Sequence, residues 1–117
     1  MNKRGVVYIA ISENMNDGEP TIRETFFAKV GVAEDSEKRI RELAEEGYAG
    51  FYDWRPLHGC AFSVKNMYVA ERAVHNFLKL RQRWASLDRF TWPDNAEEVF
   101  MLDEPLLVEI EHLAYQY

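Results

Sequence analysis

The chain has 117 residues, 47% of them hydrophobic and 29% charged, with a formal net charge of −6. That length supports one domain with its own core and is too short for two, and the composition is globular rather than disordered or fibrous. The single cysteine, Cys60, excludes an intramolecular disulfide, and the acidic total argues against indiscriminate affinity for nucleic acid.

Val6 to Ile11 is β-branched and aromatic and reads as a first strand. The run to Ser12 is too short for a signal or membrane helix. With one cysteine, the expectation is a soluble cytoplasmic protein without an anchor. Asn14 to Pro20 is a turn cluster, and Thr21 to Val30 returns as a second strand, giving an antiparallel hairpin. Gly31 closes that strand, either to let backbone approach a ligand or to supply a positive φ. Asp35 or Ser36 caps a helix from about Glu37 to Glu46, with Ile40, Leu43 and Ala44 facing the core and Gly47 as its stop.

Tyr48 to Arg55 is aromatic and irregular; Pro56 to Val64 reads as a third strand. Asn66 caps a second helix, from about Met67 to Trp84, striped by Ala70, Val74, Phe77 and Leu78. Asp88 to Ala96 is a loop, Glu98 to Leu102 a short strand or extended piece, and Glu104 to about Ala114 a last helix with Pro105 in its first turn. The expected fold is α+β: one domain over 1–117, a small three-stranded antiparallel sheet flanked by helices, its core spanning about 5–102. From Arg55 to Arg89 seven cations meet two acids, a net +5 that leaves −11 elsewhere. This asymmetry suits either a nucleic-acid footprint or a solvated helix end, where cations favour the macrodipole.

A spaced set of polar residues runs through these elements: Tyr8, Lys29-Val30-Gly31, Arg39 eight positions after that glycine, and Ala70-Glu71-Arg72-Ala73-Val74-His75. One inward carboxylate is chemically sufficient for Mg²⁺, which keeps several waters. A guanidinium grips phosphate oxygens bidentately and stays charged. His75 follows Glu71 by one helical turn, on the same face. Taken singly, each residue is equally at home on an ordinary surface: Glu71 near a helix start, Arg39 paired with a helix acid, Tyr8 half-buried in a strand.

In this order the set resembles the GIY-YIG nuclease superfamily, especially its short, phage-associated branch. The resemblance spans Gly5 to Leu102. It implies a DNA endonuclease using Mg²⁺ or Mn²⁺ on Glu71, with Arg39 on the scissile phosphate. Tyr8 takes the place of the first-motif tyrosine, beside water. Lys29 stands where the wider family has a second tyrosine; it offers a cation but is a poor base at neutral pH. His75 is a candidate to assist water or protonate a leaving group. Arg72, Lys79 and Arg83 join Arg39 as candidate nucleic-acid contacts.

Glu98-Val99-Phe100 resembles the family's closing element, to which a packing role is assigned. His58, His112 and Cys60 read as structural. The aromatics Tyr48, Phe51, Tyr52 and Trp54 suit stacking on bases, core filling or a protein partner. Two other functions stay open: a nucleic-acid-binding module without cleavage, and a small acidic protein that binds or inhibits another protein.

Overall fold

The computed structural model describes residues 3–17, 25–82 and 98–117. The elements are β1 (Gly5–Ile11), β2 (Phe26–Ala33), α1 (Ser36–Glu46), a 3₁₀ turn (Tyr48–Gly50), β3 (Arg55–Val64), α2 (Met67–Gln82), β4 (Val99–Leu102) and α3 (Glu104–Ala114). The predicted start of the second strand at Thr21, the helix end at Arg83 and Trp84, and the loop from Asp88 to Ala96 lie outside the described residues.

The sheet has four strands rather than three, ordered β3-β1-β2-β4, and every neighbouring pair is antiparallel. The fourth is the piece from Glu98 to Leu102 whose state the sequence left open. It pairs with β2, Phe26 opposite Leu102 and Lys29 opposite Val99. Four residues do not fix their own conformation; a partner across the ladder does.

Strand side chains alternate between faces, and here both faces are covered. Val7, Ile9 and Ile11 of β1 join Phe26, Ala28 and Val30 of β2 under Ala70, Val74 and Leu78 of α2 and Ile110 and Ala114 of α3. On the other face Tyr8 and Ala10 pack with Ile40 and Leu43 of α1 and with Ala49 and Trp54. The aromatic stretch therefore fills core. Trp54 is buried, donates its indole N–H to the Tyr48 carbonyl at 3.0 Å, and meets the rings of Tyr48 and Phe51 edge-on. Tyr52 alone of the four is well exposed.

Helix α1 begins at Asp35, whose carboxylate accepts from the Lys38 N–H, and stops at Gly47 with φ 70°. That left-handed turn is one a glycine enters without strain.

Candidate functional site

Alternation along β2 puts Phe27, Lys29 and Gly31 on the face that α1 covers, with Tyr8 directly across from Gly31. A lysine on such a face is in apolar company. Lys29 is 3% exposed, and its ammonium lies 5.8 Å from the Tyr8 ring centroid and 4.9 Å from that of Tyr48. Its counter-ion is Glu98, to which it donates a hydrogen bond. Burial pushes the Lys29 pKa down, and the Glu98 carboxylate opposes that shift. Lys29 is thus enclosed rather than displayed on the surface.

Gly31 does not close β2, which runs on to Ala33, and its φ is outside the positive range. The reason for glycine is space. A Cβ there would lie 2.7 Å from the Tyr8 hydroxyl oxygen and 3.1 Å from the Lys29 nitrogen. The phenol and the ammonium converge over the bare backbone. Gly31→Ala is expected to cost about 1–3 kcal/mol through this overlap, measured by chemical denaturation. An unchanged midpoint would show that Tyr8 and Lys29 move aside freely.

Burial pushes the Tyr8 phenol well above its usual range, and the neighbouring Arg39 guanidinium only partly offsets this. The hydroxyl therefore stays protonated at neutral pH and acts as a hydrogen-bonding group. Arg39, on α1, forms weak ion pairs with Glu42 at 3.3 Å and Glu46 at 3.7 Å. It borders an open cleft of about 330 Å³ with Lys3, Lys38, Glu34 and Asp35.

The carboxylates arrive through a gap in the sheet. β4 reaches only as far as Val30, whose N–H donates to the Glu98 carbonyl at 3.0 Å. Among the described residues no strand pairs with the outer edge of β2 beyond that point, and edge groups must find other partners. Helix α2 supplies them. His75 Nε2 lies 2.7 Å from the Val30 carbonyl oxygen, and the Val32 N–H donates to Glu71. A carbonyl only accepts, so Nε2 carries a proton in this contact.

Glu71, His75 and Glu98 are each half-buried, and one ligand atom from each lies within 4.8 Å of the other two. Burial raises the Glu71 pKa, the facing Glu98 carboxylate adds to the rise, and His75 and Lys29 oppose it.

Tyr8, Lys29, Arg39, Glu71 and His75 thus form one linked set, with Lys29 joining the two faces. Arg72 and Lys79 are exposed on α2. Seven residues apart, they share a stripe beside the Glu71 face but lie outside the linked set. Arg83 lies outside the described residues. Arg81 pairs with Glu109 at 3.7 Å.

Two residues join the site that the sequence reading left to packing or open: Glu98, and Tyr48, whose ring flanks Lys29 and whose hydroxyl accepts from the Glu98 N–H at 3.4 Å. One signal for Glu98 was present in the sequence. A lysine inside Phe-Phe-Ala-Lys-Val-Gly-Val requires an acid on a neighbouring element.

Fold and site together define a small α+β domain with a half-buried cluster of cations and carboxylates beside β2. The family model of the T5orf172 domain matches residues 5–112, and the chain belongs to that family. It is a phage-associated, nucleic-acid-related domain akin to nuclease-type modules. No curated protein and no solved structure matches the chain. Among the described residues no helix is long and apolar enough to cross a membrane.

Proposed function

We propose that the chain is a metal-dependent endonuclease of the GIY-YIG type that hydrolyses phosphodiester bonds in DNA. The observation that carries this reading is that Tyr8 and Lys29 meet over Gly31, with Arg39 beside the Tyr8 hydroxyl, while Glu71 and His75 meet the outer edge of β2 within electrostatic reach of Lys29. Two half-buried carboxylates that repel one another fit a divalent cation, and Glu71 is the residue to hold it. Mg²⁺ or Mn²⁺ bound there supplies charge neutralisation at the phosphoryl group and acidifies water.

The remaining work falls to the chain's own groups. Arg39 leaves its exposed helix acids and takes two phosphate oxygens with its planar fork. Tyr8, protonated and fixed over Gly31, donates toward the phosphate or orients the attacking water. Lys29 holds positive charge beneath the cleft. The Lys3–Lys38 side of the open cleft, with Arg72 and Lys79 on α2, offers further cations to the flanking backbone.

The test is nicking of supercoiled DNA by the purified chain with Mg²⁺ or Mn²⁺. Arg39→Ala should lower the rate by about 10²–10³-fold, the range seen when one transition-state donor is removed. Arg39→Lys should recover little of it, because an ammonium lacks the fork. Wild-type activity in Arg39→Ala would overturn the phosphate assignment.

The burial of Lys29 at the position of the family's second tyrosine favours one other reading, binding without turnover. Salt-sensitive DNA binding with no cleavage in either metal would establish it.

A further inference from the structure

We infer that the metal site is a three-residue set, Glu71, His75 and Glu98, and that it selects Mn²⁺ over Mg²⁺. This rests on the endonuclease reading and deepens it. The family resemblance assigns the metal to one glutamate, whereas here one ligand atom from each of the three residues lies within 4.8 Å of the others.

The orientation of His75 is the second observation. Metal-binding imidazoles commonly donate their remote N–H to a carbonyl or carboxylate, which fixes the tautomer and aims the other nitrogen. His75 makes the remote hydrogen bond of this arrangement, with Nε2 on the Val30 carbonyl at 2.7 Å, and its ring is held tilted against Phe100 at 5.3 Å between centroids. Among the described residues β4 begins at Val99, and it is His75 that meets the Val30 carbonyl.

Glu98 presents Oε2 to Lys29, leaving Oε1 for an ion. The carboxylate then bridges the buried ammonium and the metal. Lys29 balances one of the two glutamates, so an incoming divalent ion meets a site of modest net charge. That lowers the purely electrostatic attraction and gives more weight to ligand type. Mg²⁺ prefers oxygen ligands and retained water, whereas an imidazole nitrogen suits first-row transition ions better than Mg²⁺. A nitrogen in the set therefore tilts the choice toward Mn²⁺.

The experiment is Mn²⁺ titration of the full chain, followed by the electron paramagnetic resonance of free and bound ion, with electron spin-echo modulation to detect a directly bound nitrogen. Wild type should show one bound Mn²⁺ with nitrogen coupling and a preference over Mg²⁺ in competition. His75→Gln should lose the nitrogen signal, weaken Mn²⁺ by about tenfold or more, and lose most of the preference.

Glu98 is tested in the Lys29→Met/Glu98→Gln pair against Lys29→Met alone, so that no buried ammonium is orphaned; a further loss of similar size is expected. Bound Mn²⁺ without nitrogen coupling, or unchanged affinity in both tests, would overturn the three-residue set while leaving Glu71 as sole ligand and the endonuclease reading intact. Wild-type Mn²⁺ binding in Glu71→Gln would instead remove the metal from this cleft, and both readings with it.

Discussion

Glu71→Gln should abolish DNA cleavage, by about a thousandfold or more, while leaving the fold at least as stable as before. The first half follows from what a cation supplies to phosphoryl transfer. Several kcal/mol of transition-state charge stabilisation depend on it, and each 1.36 kcal/mol is a factor of about ten. The second half follows from the surroundings of the residue. Burial, and then the facing Glu98, raise the Glu71 pKa, so ionising it opposes folding. A carboxylate of this kind binds its proton more tightly in the folded state, so its ionisation removes stability as pH rises from the unfolded value through the raised folded one.

Glutamine removes that charge and keeps an oxygen to accept from the Val32 N–H. The measurements are nicking assays with both metals and thermal unfolding at several pH values. Wild type should lose stability across that pH window relative to the variant. A variant that cleaves normally, or one that is inactive only because it has unfolded, would refute the assignment.

Much of this cleft could be read before any coordinates, and the part that could not has a physical reason. Alternation along β2 puts Lys29 and Gly31 on one face, and the i, i+4 spacing puts Glu71 and His75 on another; both are local rules. The eight-residue step from Gly31 to Arg39 spans the end of β2, a two-residue loop and the first turn of α1. Glu98 is different. It meets Lys29 across 69 positions of sequence, through a strand of four residues whose state depends on its partner.

Among the described residues β4 covers β2 only as far as Val30, and α2 side chains meet the edge beyond it. No local pattern encodes a strand's end relative to another strand. The role of Tyr48 was hidden for a related reason. An irregular aromatic run reads equally as core or as a stacking surface until the chain folds it under α1.

The largest effect on stability should come from the buried ion pair. Glu98→Gln is expected to destabilise the chain by about 3 kcal/mol, near the lower end for breaking a buried pair, because Glu98 keeps a side-chain exposure of 36% whereas Lys29 keeps only 3%. For a domain of this size that is a fall of roughly 10–15 °C in Tm. The cost arises on the lysine side. Without Glu98 the ammonium sits between the Tyr8 and Tyr48 rings with no carboxylate partner, and burial already pushes its pKa down.

Lys29→Met should cost much less, about 1 kcal/mol, because it fills the same space with an apolar chain and leaves Glu98 able to take up water. The pair Lys29→Met/Glu98→Gln should then recover most of the loss, and the non-additivity measures the coupling directly. Additive losses in the double variant would mean that Lys29 finds its counter-charge elsewhere, for which Glu71 is the nearest candidate. Equal losses from the two single variants would mean that the ammonium is better solvated than its burial implies. Either result would undo the view of Lys29 as an enclosed cation fixed by the fourth strand.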